Sequence, residues 1–403
     1  MTVDTGKART GPWTPRTTAQ LAILAAAAFI YATAEILPVG ALPAISEGLG
    51  VSEALVGTLL AWYAVVAAAT TIPLVRLTAY WPRRRVLLLT LVCLTSSQLI
   101  SAMAPNFAVL AGGRALCAVT HGLMWSVLAP IATRLVPPSH SGRATTAIYV
   151  GTSLALVVGI PLTSAMSLLW GWRLAVVVIT VAAVITTVAA RAALPALVLS
   201  TDQLALVGRN HHRNGRLLAV STLMLVAVTG HFISYTYIAV IIGDVLGVPG
   251  ARLAWLLAAF GAAGLIAMPP LARPLDHRPK VITGSCMAAL SAAFVVLAAL
   301  SIGGHQTTGT TAVGAAAIVL WGAMAMAVSP MLQSAAMRTA PDDPDGASGL
   351  YVTAFQVGIT GGSLAGGLLF ERAGTSAMLT ASALLVGIAA IGITASKRLF
   401  FVP

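Results

Sequence analysis

Glu35 lies inside an apolar run at 18–42, and of the eleven acidic residues in the chain it alone sits well inside such a run. An ionisable group at bilayer depth costs about 2.5–3.5 kcal/mol on insertion scales, so its presence there points to function. A carboxyl group so placed could take up and release a proton. The candidate cation beside it is Arg114, within the run 107–135. Glu35 lies seven residues before the end of its run and Arg114 seven after the start of its own. At about 1.5 Å per residue, both lie about 10 Å below the same surface. The other reading is a static pair that fixes helix packing, but buried ion pairs are a weak source of stability.

Two histidines offer a second chemistry. His121 and His231 each fall about fourteen residues into their runs, near a bilayer midplane. Arg114, His121 and Trp125 share one helical face at i, i+7 and i+11. Tyr235 is one turn from His231, with Tyr237 close by, and Gln333 and Gln356 are further polar side chains inside apolar runs. Imidazole, phenol and indole groups suit hydrogen bonding to a polyol and stacking on a sugar ring, and they suit flat drugs as well. The bland alternatives are histidines satisfied by neighbouring carbonyls and glutamines that cap backbone groups. His211-His212 has no third ligand near it and reads as solvated loop. The run Asp342-Asp343-Pro344-Asp345 reads as a loop and a helix N-cap, where carboxylates complement the helix dipole.

The elements that must hold these groups follow from composition. Of 403 residues, 58% are hydrophobic and only 8% charged, against about 25% charged in a soluble domain. That excludes a soluble enzyme and leaves material for about eleven or twelve membrane-spanning helices of about twenty residues. The apolar runs fall at 18–42, 53–77, 85–104, 107–135, 143–168 and 173–194, then at 217–243, 252–272, 280–302, 311–337, 347–370 and 375–396. The first is read as a membrane helix, not a removed signal peptide. Cys93, Cys117 and Cys286 all lie in apolar runs, so no disulfide framework is expected. The sequence shows no phosphate loop, no zinc-protease motif and no nucleophile elbow.

The expected organisation is a tail at 1–17, six helices in 18–194, a linker at 195–216, six helices in 217–396 and a tail at 397–403. With the N-terminus inside, nineteen of the twenty-three Lys and Arg fall in cytoplasmic segments and three in outer loops, Arg114 being within a helix. The net charge of +12 is therefore a topology signal with both termini cytoplasmic, not a nucleic-acid patch. The halves also repeat. Gly151, Ala155 and Gly159 form a stripe at i, i+4, i+8, and Gly358, Gly362 and Gly366 form the same stripe 207 positions later. Small-residue stripes let membrane helices approach closely. Two similar six-helix halves form a transporter architecture.

Four segments carry a resemblance: TAEILPVGALPAI at 33–45, GRALCAVTHGLMWSV at 113–127, TGHFISYTYIAV at 229–240, and LWGAMAMAVSPMLQSAAMRTAP with GLYVTAFQVGITGGSLAGG at 320–341 and 349–367. On these the chain resembles the major facilitator superfamily, and more narrowly the sugar-efflux (arabinose-efflux) branch of its twelve-helix drug/proton antiporters. The resemblance implies an all-α integral membrane protein of two pseudo-symmetric six-helix bundles, in a bacterial inner membrane. It implies that the first and fourth helices line one cavity. Gly159-Ile160-Pro161 resembles the family's antiporter motif, and Pro38, three residues after Glu35, is expected to free the Ala34 carbonyl and bend its helix. The second-to-third-helix loop keeps Arg83, Arg84 and Arg85 but has Ala79 where the family usually has an acid. The equivalent second-half loop keeps Asp276 beside Arg278 and Lys280, so the gating charge pair is expected to be one-sided. Ala239 stands where relatives often carry another acid.

The expectation is a monomeric carrier working by alternating access, with no cofactor, the proton gradient as its energy source, and a small molecule and the bilayer as its partners. Export of a sugar-like or polyol molecule is the first reading. Export of a drug such as chloramphenicol is the alternative, and a membrane-embedded enzyme or sensor is the remote one.

Overall fold

The structure is a computed structural model that describes residues 13–198, 214–248, 251–304 and 306–396. The tails at 1–12 and 397–403 and linker residues 199–213, including His211-His212, lie outside the described residues. Every regular element among the described residues is a helix. Only intrasegment hydrogen bonds satisfy the backbone where no water is present, which is why long apolar runs adopt this form.

Twelve spanning elements follow. α1 is Pro15–Gly40, continued after a break by Leu42–Leu49; α2 is Glu53–Leu77, α3 Arg83–Ala102 and α4 Phe107–Arg134. α5 is Ser141–Leu154, a π-turn at Ala155–Gly159, and Ile160–Trp170; α6 is Trp172–Ala193. α7 is Gly215–Tyr235, continued by Ile238–Leu246; α8 is Ala251–His277, α9 Pro279–Gly303 and α10 Thr308–Thr339. The 52 residues Pro344–Ala395 are continuous helix except at Gly374, whose φ of 74° and ψ of −175° break the run. At about 1.5 Å per residue the stretch is more than twice a bilayer core, so its two arms are α11 (344–373) and α12 (375–395). Thus eleven long apolar helices among the described residues make twelve crossings.

Side-chain caps set several starts: Thr14 accepts from the Thr17 N–H, Ser52 from Leu55, Asn106 from Val109 and Asp343 from Gly346. The breaks repeat as well. Ala41, between the two pieces of α1, has φ −109° and ψ 14°, and Tyr237, between those of α7, has φ −111° and ψ 20°. Pro43 explains the first, since it cannot donate and sits at the start of the new helix. No proline marks the second, and the sequence reading carried that helix unbroken through 243. In α5, Pro161 has no N–H for the carbonyl of Val157, and the ladder slips into the π-turn immediately before it.

The glycine stripes sit where helices meet. A methyl group on Gly151 would run into the Ala25 backbone and one on Gly159 into Thr33, so the first stripe packs α5 on α1. A methyl on Gly358 would meet Val228, one on Gly362 Thr229 and Phe232, and one on Gly366 Ile233, so the second packs α11 on α7. Each half has its own buried core, around Tyr31, Leu59 and Leu91 in the first and Met287, Phe294 and Trp321 in the second.

Neighbouring glycines give a paired prediction. A methyl at Gly362 would stand 2.6 Å from the Thr229 carbonyl oxygen, whereas one at Gly361 meets nothing within 4 Å. Gly362→Ala should destabilise by about 1–3 kcal/mol through overpacking, and Gly361→Ala should be neutral or stabilise by up to about 1 kcal/mol through helix propensity. Thermal midpoints of the two variants in detergent check this; equal midpoints would refute the α7–α11 packing.

Candidate functional site

Glu35 sits in α1 facing α4 and α2. Its carboxylate Oε2 is 3.7 Å from His121 Nδ1 on α4, and its side chain is 21% exposed while that of His121 is 4% exposed. The same imidazole nitrogen is 3.1 Å from the Tyr63 hydroxyl on α2, which also lies 3.3 Å from Cys117 Sγ. Tyr31, one turn before Glu35, donates to the Cys117 carbonyl at 3.0 Å and lies 3.3 Å from the Thr120 hydroxyl. A carboxylate, an imidazole and a phenol thus form a short chain running from a partly accessible group to buried ones.

Arg114 departs from expectation. Its guanidinium donates to two main-chain carbonyls of α1, Ala34 at 3.1 Å and Glu35 at 2.7 Å, and lies 5.4 Å from the centre of the Tyr63 ring. Among the described residues it makes no ion pair with the Glu35 carboxylate within 4 Å. The cause is Pro38: without its N–H, the Ala34 carbonyl lacks its helical donor, and Arg114 supplies one. The depth argument brought the right residues together but paired the wrong atoms, because a freed carbonyl competes for the same guanidinium. The carboxylate is left outside any bidentate grip.

The second histidine belongs to a cluster in the other half. Trp321 on α10 donates from Nε1 to His231 Nδ1 at 3.0 Å. Tyr235 stacks on the imidazole with ring centres 5.0 Å apart and 22° between planes, and Phe232 meets it edge-on at 5.0 Å. Phe260 on α8 and Phe294 on α9 close around Trp321 at 5.6 and 4.7 Å. Tyr237 does not join this group. It lies beyond the break in α7, stacked on Phe370 and against Gly366 and Gly367.

Trp125 stands between the halves, packed against both cores, 6.2 Å from His121 and 6.3 Å from Tyr149 between ring centres. Gln333 donates to the Trp125 carbonyl at 3.3 Å and to the Ser348 hydroxyl at 3.0 Å, so its amide nitrogen ties backbone across the interface. Gln356 is buried, with no polar side-chain partner among the described residues. Pro38 is buried beside Arg114's contacts, and Pro161 is exposed.

At the end carrying most of the basic residues, the halves are bound by two buried acids. Asp345 at the start of α11 takes Arg134 through both oxygens, at 2.6 and 3.3 Å, and Arg83 at 3.0 Å. Asp276 at the end of α8 takes Arg143 at 2.6 Å, the Gly142 N–H at 2.7 Å and Arg338 at 3.9 Å. Three corrections follow. Asp345 is not solvated loop; only Asp343 of that run acts as the expected cap. The acid missing at Ala79 is replaced from the other half, and Arg83 also donates to the Ala79 carbonyl at 2.9 Å. Asp276 pairs across the halves with Arg143, not with Arg278, while Arg84 braces its own half by donating to the Leu194 carbonyl at 2.8 Å.

The sequence reading missed Tyr63, Tyr31, Trp321, Asp345, Arg134 and Arg143 as site residues. Tyr31 could have been found from its i, i+4 spacing to Glu35. The others depend on contacts between distant helices that carry no local signal.

The sequence pattern of the Major Facilitator Superfamily matches residues 24–362. The chain is 66% identical, over all of its length and 98% of the relative's, to a chloramphenicol efflux pump of Mycobacterium tuberculosis strain H37Rv, and equally to one from strain CDC 1551. Among solved structures it is similar to the human organic anion transporter MFSD10, with TM-score 0.74, 17% identity and 94% and 100% of the two chains covered. The Escherichia coli fucose:proton symporter FucP gives TM-score 0.71 at 16% identity over 93% and 97%. An outward-facing bacterial homologue of ferroportin gives 0.74 at 12% over 94% and 98%. The all-helical, two-bundle reading stands, and a family of transporters leaves no place for the enzyme alternative. The chain belongs to the major facilitator superfamily.

Proposed function

We propose that this protein is a proton-coupled exporter of chloramphenicol-type drugs, acting as a monomer in a bacterial inner membrane. The observation that carries the coupling is Glu35: a carboxylate 21% exposed, 3.7 Å from His121 and outside any bidentate arginine grip. Such a group is free to take up and release a proton. The substrate class is supported by the 66% identity to chloramphenicol efflux pumps along the whole chain. That likeness favours a drug over the sugar-like molecule that the motifs first suggested.

The basic end faces the cytoplasm on the positive-inside argument. Asp345 and Asp276 hold that end shut, so Glu35 exchanges protons with the opposite side. Protonation removes the charge from α1, and reopening of the cytoplasmic end requires Arg83, Arg134 and Arg143 to release their acids. A drug entering from inside then meets the protonated site and displaces its proton as the carrier turns over. A neutral substrate coupled to one carboxyl requires no second acid, in keeping with Ala239.

Two outcomes are expected. In proteoliposomes enclosing a pH indicator, chloramphenicol should evoke proton movement that vanishes in Glu35→Gln, which should still exchange drug downhill. Proton flux evoked by sugars and not by chloramphenicol would return the reading to sugar export, and uphill pumping by Glu35→Gln would remove Glu35 as the coupling site. Spin labels on Leu77→Cys and Asp342→Cys in a cysteine-free background report the cytoplasmic end. Asp345→Asn should shift their distance distribution longer, and an unchanged distribution would show that the Asp345 cluster does not hold that end shut.

A further inference from the structure

The Trp321–His231 hydrogen bond fixes more than a packing arrangement. An indole N–H can only donate, so the nitrogen it meets at 3.0 Å, His231 Nδ1, carries a lone pair. The ring is then neutral with its proton on Nε2. Trp321 is fully buried and its own ring is clamped by Phe260 and Phe294, so the donor has no freedom to turn away. A buried indole N–H left without an acceptor loses its hydration with nothing in return, which opposes any state of His231 that occupies Nδ1 with a proton.

The other nitrogen is uncommitted. His231 is half-buried, and among the described residues no group hydrogen-bonds to its Nε2. Around the ring stand Tyr235, stacked on one face, and Phe232, edge-on; Trp321 completes the set. None of them is charged, and Tyr235 is the one other titratable group.

The repeat sharpens the contrast. His231 stands as far from the start of α7 as Tyr31 does from the start of α1, and Tyr235 stands where Glu35 does. The first half thus places a carboxylate, and the second an aromatic face with a neutral N–H donor, at equivalent places.

We infer that Trp321 is a positioning residue that locks His231 as a neutral Nε2–H donor, and that this donor with the Tyr235 face binds the uncharged, hydrogen-bond-accepting aryl part of the substrate. This rests on the drug-export reading above. Proton exchange stays with Glu35 in the first half, and the His231 donor in the second keeps its own protonation state while that exchange takes place.

The test combines a readout that needs no drug with one that does. In protein labelled with ¹⁵N-histidine and assigned through His231→Gln, the His231 resonances should show an unprotonated Nδ1 and a protonated Nε2 between pH 5 and 8. Trp321→Phe, which keeps the ring packing, should allow the ring to change tautomer or charge in that range. Chloramphenicol affinity, measured by calorimetry, should fall about tenfold in Trp321→Phe and in His231→Phe, the scale of one lost hydrogen bond. In Trp321→Phe it should also become pH-dependent. His231→Gln, whose amide can still donate, should bind within about threefold of wild type. A protonated Nδ1 in wild type would overturn the lock, and unchanged affinity in both Phe variants would overturn the substrate contact. Failure of wild type to bind chloramphenicol at all, with the Nε2–H signal intact, would overturn the drug reading and the substrate contact while upholding the lock.

Discussion

Pro38 removes from α1 the backbone donor that would satisfy the Ala34 carbonyl, at a depth where an unpaired polar group costs several kcal/mol. Arg114 repairs this from α4, bonding to the Ala34 and Glu35 carbonyls. One requirement of backbone chemistry thus ties α1 to α4 and sets the position of Glu35. It also explains why a buried arginine and a partly exposed glutamate can be neighbours without forming a locked pair. The carboxylate is held near a cation whose two terminal nitrogens donate to the main chain.

The same economy appears at the closed end. Asp345 and Asp276 are each buried; Asp345 accepts two hydrogen bonds from Arg134 and lies in ion-pair contact with Arg83, and Asp276 accepts from Arg143 and the Gly142 N–H, all of the opposite half. Buried acids are tolerable when several charge-assisted bonds satisfy them. Because the donors lie across the interface, satisfaction of the acids and contact between the halves at this end are one event. An acid supplied from α11 can close the end as well as one supplied by the loop at Ala79, since the requirement is for charge at that point in space.

The two halves share a frame and differ in what they present. Gly151 and Gly159 seat α5 on α1, and Gly358, Gly362 and Gly366 seat α11 on α7, giving matching arrangements of four helices. Within that frame Glu35 and Tyr235 occupy equivalent places with different chemistry.

The sequence by itself determined the membrane class, the twelve crossings, the repeat and the acid at depth. These follow from hydropathy, helix rise and the cost of burying charge, all local or additive along the chain. It also placed Arg114 at the depth of Glu35, because depth is a one-dimensional coordinate that residue counting can follow, whereas His121, expected near the midplane, meets the carboxylate only in the structure. Tertiary structure alone decided which atoms meet: Arg114 with carbonyls, Trp321 with His231, Asp345 with Arg83 and Arg134, and Tyr237 apart from the histidine it neighbours in sequence. Rotation about each helix axis and the break in α7 control those contacts. They depend on packing between segments 79 or more residues apart, about which the local pattern of residues is silent.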